Sequence, residues 1–318
     1  METGELIVNL DLPASQRWSF LNDYKVELDE LLEYYLNDFE DAGFIFENIG
    51  DYKSAVISKE LLEEIDFISS ISRFSPDQVL VANLYYDVLK FYFGCTVFAF
   101  HNQETVFHAR NLDWHTDNDL LGKYSKVFHF ERHGKIVFKT VGWPGFIGAL
   151  SGMKPGKFSL TLNAVLSHEA PQISTPISFL LRDILEHNNS FDEARERLEQ
   201  SSLASDSLIL LSGVEKNELA VIERTPSRSA VRFGKDDRVV VANDYKVLIN
   251  NNMSDSILQI TSCGRYDRVL ELLGHKMPIN SQDCLKILKD DKVMMGITVQ
   301  QMIFNNKTGE LVLIKTGM

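Results

Sequence analysis

Cys95 is the residue of this chain best placed to do chemistry. It follows Gly94 at the point where a helical pattern stops and a strand pattern begins. The reactive form of cysteine is the thiolate, and a free pKa of about 8.5 leaves only a few per cent ionised at neutral pH. No Cys-His pair stands out in the sequence to supply a base. If the Gly94–Cys95 peptide bond is cut, Cys95 gains an α-amino group of reference pKa about 7.7–8.0, which can act as the base for its own sulfur. Arg110 and Asp113 lie on the following strand-like run. A short antiparallel return brings both back beside Cys95, where Arg110 favours the thiolate and Asp113 holds the amine or ammonium. On residue types alone, Cys95 also reads as a small buried hydrophobe, and Arg110 with Asp113 as an ion pair anchoring a turn.

The elements that must position these residues are visible as periodicity. From Pro13 to about Phe93, apolar residues recur at three- to four-residue intervals, and Ser75-Pro76-Asp77 reads as a helix start. After Gly94 the period changes: CTVFAF and TVFHARNL read as two strands joined by a polar turn. Strand-like runs continue at KVFHFERHGKIVFKTVG, FSLTLNAVL, SLILLSG with ELAVIERT, AVRFG with RVVVAND, and ITVQQMIFNN with ELVLIK, and many are expected to pair as hairpins. Helices are expected over Ile177–His187, Phe191–Gln200, Cys263–Leu273 and Ser281–Leu288. The spacing predicts an α+β chain whose helical N-terminal segment feeds an antiparallel sheet body with helices on its faces.

The chain has 318 residues, 44% of them hydrophobic, enough for a sizeable core. A formal charge of -13 provides no electrostatic grip on phosphates, which argues against a nucleic-acid partner. No apolar run is long enough for a transmembrane helix. The acidic start METGELIVNLDLPASQRW lacks the features of a secretory signal, so the expected location is cytoplasmic. Three cysteines are too few for a disulfide framework, and Cys263 and Cys284 are expected as buried helix residues. His101, His108, His115, His129 and His133 match no zinc spacing and are expected at the surface or in hairpins. Apolar helical faces near Leu61, Ile65, Phe67 and Ile71 read either as core or as a transient membrane contact.

GCTVFAFHNQETVFHARNLDW resembles the nucleophile region of the acid ceramidase and N-acylethanolamine acid amidase group, in the cholylglycine hydrolase branch of the N-terminal nucleophile hydrolases. VNLDLPASQRW is similar to that group's opening, and VFKTVGWPGFIGALSGMKPGKFSLTLN to its apolar loop and following strand, so the resemblance runs from about Ile7 to about Arg268. It implies an αββα sandwich and self-cleavage before Cys95 into a helical propeptide-like segment, 1–94, and a catalytic segment, 95–318. It also implies that the two segments stay associated after cleavage. Cys95, Arg110 and Asp113 fall on the group's catalytic positions. Asn243 falls where an amide donates to the tetrahedral oxyanion, and Asn163 matches a second asparagine near the substrate carbonyl.

Arg265 resembles the group's second site arginine, although the residues before it depart from the group's pattern and leave Arg268 as the alternative. By their types alone, Asn243 also reads as a turn residue and Arg265 as a helix-surface arginine. The implied activity is hydrolysis of the amide bond of a fatty-acylated amine, N-acylethanolamine-like or ceramide-like, through a thioester and without cofactor or metal. Bile-salt, penicillin-type or N-acyl signal amides are the alternative substrates, and an uncleaved lipid-binding homologue is the alternative class. Trp143 and Phe146, beside a Pro-Gly turn, read either as a wall of the acyl pocket or as core.

Overall fold

Strands that are apolar on both faces must be covered on both faces, and this requirement generates the layers. The computed structural model describes residues 4–39, 44–89, 93–114, 116, 119–249 and 260–316. Among them, one eight-stranded sheet runs in the order β1 (Glu5–Asn9), β4 (Lys126–Arg132), β5 (Lys135–Gly142), β6 (Ser151–Lys154), β7 (Phe158–Asn163), β8 (Ser207–Ser212), β9 (Leu219–Arg224), β10 (Ser229–Phe233). A five-stranded sheet runs β11 (Arg238–Val241), β2 (Phe93–His101), β3 (Val106–Trp114), β12 (Thr298–Asn305), β13 (Glu310–Lys315). Neighbours are antiparallel except β1 and β4, which are parallel.

Alternation along the strands assigns side chains to layers. Val97 and Ala99 of β2 meet Leu208 and Leu210 of β8 and Val221 of β9 between the sheets. Phe98 and Phe100 point the other way, onto Val269 and Leu273 of a helix at Ser262–His275 and onto Cys284 and Leu288 of a helix at Ser281–Leu288. Ile209 and Leu211 of β8 turn to the opposite outer layer, which holds helices at Ile177–His187 and Phe191–Gln200. The four layers are therefore helix, sheet, sheet, helix. These four helices match the sequence reading within two residues at each end.

The N-terminal segment carries α1 (Lys25–Asn37), α2 (Phe44–Val56), α3 (Lys59–Ile71), α4 (Pro76–Asn83) and α5 (Tyr85–Leu89). Ser75 caps α4 in a reciprocal box with Gln78, with Pro76 in the first turn, as its sequence predicts. The segment is not wholly helical, because β1 supplies the edge strand of the larger sheet. That strand is too short to be recognised by its own pattern and is fixed by its pairing with β4. A buried cluster ties the same segment to the body: Glu64 of α3 accepts from Trp18 Nε1 at 2.7 Å and pairs with both Arg17 and Arg182, the latter on the Ile177–His187 helix. Ile65 and Ile71 are core residues, with Leu61 and Phe67 packed against them, so this helical face looks inward. No helix among the described residues is long and apolar enough to cross a membrane.

Two expectations need correction. AVRFG and RVVVAND do not form a hairpin: β10 pairs with β9 in one sheet and β11 with β2 in the other, the chain crossing between them through Asp236 and Asp237 at positive φ. Cys263 is exposed, because it sits on the outer side of its helix, while Cys284 is buried as expected. His108 of the β2–β3 hairpin and His129 of the β4–β5 hairpin lie in hairpins as expected, but both are buried rather than superficial. His115 lies outside the described residues.

Candidate active site

The site begins at a pair of adjacent strands. In the β2–β3 ladder Gly94 stands opposite Asp113, Cys95 opposite Leu112 and Val97 opposite Arg110. Cys95, Val97 and Arg110 share the face that looks between the sheets, so the thiol and the guanidinium meet there. Arg110 Nη2 is 3.1 Å from Cys95 Sγ. Arg110 is fully buried and is held by neighbouring strands: it donates to the carbonyls of Leu150 and Leu162 and to the Ser151 hydroxyl. Leu162 O is also within 3.7 Å of Sγ. The apolar loop before β6 thus has a function its composition does not advertise, presenting Leu150 and Ser151 to Arg110.

The backbone of Cys95 is gripped from the other side. Its N–H donates to Asn243 Oδ1 at 3.2 Å, and its carbonyl accepts from Arg265 Nη1 at 2.7 Å. Arg265 also donates to the Thr96 hydroxyl and to Asn243 Oδ1, and its guanidinium lies 3.9 Å from Asp113 Oδ2. Asp113 accepts from the Thr298 hydroxyl through Oδ1, whereas its Oδ2 is buried without a hydrogen-bond partner. Asn243 uses one amide hydrogen on the Ala164 carbonyl at 2.8 Å, which leaves the second for another acceptor. Asn163 donates to Ala242 O at 2.8 Å, and its own Oδ1 is buried without a partner. Asn163 therefore abuts the turn that carries Asn243.

Of the two candidate arginines, Arg265 reaches Cys95, while Arg268 pairs with Asp290 and Glu271 on the outer side of the helix. One helical turn separates them, and only Arg265 faces the sheet. Thr96, Ser151, Thr298 and Ser262, whose hydroxyl accepts the Asn243 backbone N–H at 2.9 Å, were not legible as site residues. Each does its work through a tertiary neighbour.

Electrostatics follow from burial. Desolvation raises the Cys95 thiol above its ordinary value, Arg110 opposes this, Asp113 adds to it, and Arg265 opposes it. Burial likewise raises the Asp113 carboxyl, against Arg265 and the Thr298 hydrogen bond. Tyr86 of α5 belongs to the same environment: its phenol is pushed up by burial and next by the neighbouring Cys95.

Trp143 and Phe146 lie in packed core. The Trp143 ring donates to Leu121 O at 2.8 Å and meets Trp114 edge-on at 5.6 Å, and Phe146 packs against Trp143. Asn83 of α4 clamps their loop through Gly145 O and the Ile147 N–H, and Gly145 has φ of +86°, where an added Cβ would strike Leu28. An apolar cavity of about 520 Å³ lies elsewhere, between α2, α5 and the 171–173 loop, lined by Tyr52, Leu84, Val88 and Ile173 among others. Among the described residues no cluster of His, Cys, Asp or Glu could hold a metal ion.

This geometry can be set beside known proteins. The chain is 28% identical over 248 residues to acid ceramidase of Balaenoptera acutorostrata scammoni, covering 68% of this chain and 62% of that protein. It is 30% identical over 241 residues to N-acylethanolamine-hydrolyzing acid amidase of Caenorhabditis elegans, covering 68% and 66%. The matched region is thus slightly less than two thirds of these relatives' own length. A solved Caenorhabditis elegans ortholog of N-acylethanolamine-hydrolyzing acid amidase superposes with a TM-score of 0.58 at 23% identity, covering 69% of this chain and 100% of that one, a likeness of fold. The fold is the N-terminal nucleophile hydrolase αββα sandwich. Residues 100–311, a span that includes Arg110, Asp113, Asn163, Asn243 and Arg265, match the family model described as acyl-coenzyme A:6-aminopenicillanic acid acyl-transferase, and the chain belongs to that family.

Proposed function

We propose that this chain is the precursor of an N-terminal cysteine amidase that hydrolyses the amide bond of fatty-acylated amines of the N-acylethanolamine or ceramide type. The relatives named as acid ceramidase and N-acylethanolamine-hydrolyzing acid amidase support an amide as substrate. One observation carries the mechanism: the Cys95 sulfur is 3.1 Å from a buried guanidinium while the same residue's nitrogen and carbonyl are held by Asn243 and Arg265.

Activation begins in the intact chain. Cys95 Sγ attacks the Gly94 carbonyl, the C–N bond breaks toward the Cys95 nitrogen, and water hydrolyses the resulting thioester. The products are a Gly94 carboxylate and a Cys95 with free thiol and free amine, giving segments 1–94 and 95–318. The new ammonium forms on the nitrogen of Cys95, beside the strand position of Asp113, whose Oδ2, 3.9 Å from the Arg265 guanidinium and without a hydrogen bond, supplies an acceptor. The two segments stay associated through the β1–β4 ladder and the Glu64 cluster.

Turnover uses the same atoms. The thiolate, favoured by Arg110, attacks the substrate carbonyl, and the spare amide hydrogen of Asn243 stabilises the oxyanion, an interaction worth roughly 3 kcal/mol. The α-amino group passes the proton to the departing amine, and water releases the fatty acid from the thioester. The acyl chain extends into the apolar cavity against α5, the helix that carries Tyr86. Intact mass spectrometry of wild type and Cys95→Ala tests the proposal. Two chains, one starting at Cys95, together with an acyl adduct on Cys95 support it. A persistently uncut wild-type chain without amide hydrolysis sinks it and favours the lipid-binding alternative.

A further inference from the structure

Glu223 at the end of β9 is completely buried, and its carboxylate does not serve the ladder of its own sheet. Its Oε1 accepts the N–H of Lys246 at 2.9 Å and Arg232 Nε at 3.2 Å. Its Oε2 accepts the N–H groups of Val247 and Leu248, each at 2.9 Å. Three successive backbone amides converging on one carboxylate form an anion-binding nest, here filled by the protein itself. The gripped segment starts three residues after Asn243. Tyr245, between them, is fixed to the same strand through its hydroxyl, which donates to Arg224 O at 2.7 Å.

Arg232 extends the grip to the other half of the site. It sits on β10 of the eight-stranded sheet, yet Nη2 donates to Val240 O of β11 in the five-stranded sheet at 2.6 Å, which joins the layers next to Asn243. Its guanidinium faces the Tyr266 ring at 6.0 Å, and Lys246 Nζ lies over that ring at 4.5 Å. Tyr266 adjoins Arg265 in sequence.

We propose that Glu223 is a positioning residue for the reaction: through the 246–248 amides and Arg232 it sets where Asn243 and Arg265 stand relative to Cys95. It touches no reacting atom. The inference rests on the amidase reading, but its structural half is testable without it. Glutamine at this site keeps the shape and one acceptor, and its NH₂ faces N–H donors where an oxygen had been. Misplacing a transition-state donor by about an ångström costs on the order of 100-fold in rate.

Glu223→Gln in the cleaved enzyme is therefore expected to lower kcat by roughly 10- to 100-fold while KM stays within about twofold, because the oxyanion contact is made in the transition state. In an Asn243→Ala background the same change is expected to add much less than it costs alone, since only Arg265 is left to misplace. A second measurement uses the uncut Cys95→Ala protein. Hydrogen exchange of the Lys246, Val247 and Leu248 amides is expected to accelerate when Glu223→Gln is added, while amides in β8 keep their protection. Unchanged exchange would overturn the grip. Losses of kcat that multiply with Asn243→Ala, or a rise in KM with kcat intact, would overturn the positioning role. A wild-type protein with no amide hydrolysis would sink the amidase reading alone, leaving the exchange result to decide what Glu223 holds.

Discussion

Replacing Arg110 by methionine removes the cation nearest the proposed nucleophile and leaves a side chain of similar length. The thiolate is the charged form of cysteine, so losing a neighbouring cation disfavours it and the thiol pKa must rise. An opposite charge this close shifts a titrating group by roughly 1–3 pH units, or about 1.4–4 kcal/mol. Burial already holds the Cys95 thiol above its ordinary value, so the remaining charged neighbour that opposes it is Arg265. At a pH below both values the thiolate fraction, and with it kcat/KM, falls by about 10- to 1000-fold.

A separate cost falls on stability. The Leu150 and Leu162 carbonyls and the Ser151 hydroxyl all lose a donor; Leu150 O keeps the Leu162 N–H at 2.9 Å and Leu162 O the Cys95 thiol, so the cost of about 1–3 kcal/mol for an acceptor left buried and unpaired falls mainly on Ser151. Arg110→Lys keeps the charge and loses the fork, and should fall between wild type and Arg110→Met. The assay is kcat/KM on a fatty amide over about pH 5 to 9 with cleaved protein, alongside denaturant unfolding. The expected result is a pH limb displaced upward by about 1–3 units in Arg110→Met, with activity partly recovered at high pH. If activity falls while the limb stays in place, Arg110 acts through geometry alone. If neither changes, the site as described is wrong.

Glu64→Gln leaves the buried Arg182 without its counter-charge and should destabilise the fold by about 3–5 kcal/mol, read by urea unfolding, with the 1–94 segment dissociating from the cleaved protein on gel filtration. Burial pushes the Glu64 pKa up, but Arg182, Trp18 and Arg17 together outweigh it and lower it, so this stabilisation is present above the ordinary glutamate range and is lost only as pH falls below it, and the segments should remain together at about pH 5. His108, buried between Ser159, Thr161 and Ser212, is pushed down to about 3. Above about pH 6.5 it is neutral folded or unfolded. Below that the unfolded chain takes up a proton that the native state refuses, costing stability at up to about 1.4 kcal/mol per pH unit, and a His108→Asn variant should lack this slope in pH-dependent unfolding. Phe146→Leu, in packed core away from the apolar cavity, should change KM for long and short acyl chains alike; a rise for long chains alone would place the acyl site at its loop instead.

Much of the architecture can be read along the chain because each layer leaves a local period. The strands covered on both faces appear as unbroken apolar runs, the outer helices as amphipathic stretches with caps, and the Gly94–Cys95 junction as a change from one period to the other. Cys95, Arg110 and Asp113 were legible because a hairpin is a local structure: once β2 and β3 pair, their register follows. Asn163, Asn243 and Arg265 entered as candidates by resemblance, since nothing in their own neighbourhood distinguishes an oxyanion donor from a turn residue or a site arginine from a surface one.

The amino-acid order alone determined the types of the elements, an α+β body with helices on its sheet faces, and the residue on which the proposed nucleophilic chemistry centres, since these depend on side-chain period and on contacts between near neighbours; the sandwich class came by resemblance. Only the tertiary structure decided that Arg265 rather than Arg268 faces Cys95, that β1 closes the larger sheet, that β10 and β11 part company into different sheets, and that Glu223 holds the loop behind Asn243. Those outcomes turn on contacts between residues far apart in the chain, where burial and the need to pair every buried polar group select one arrangement from many that local sequence allows.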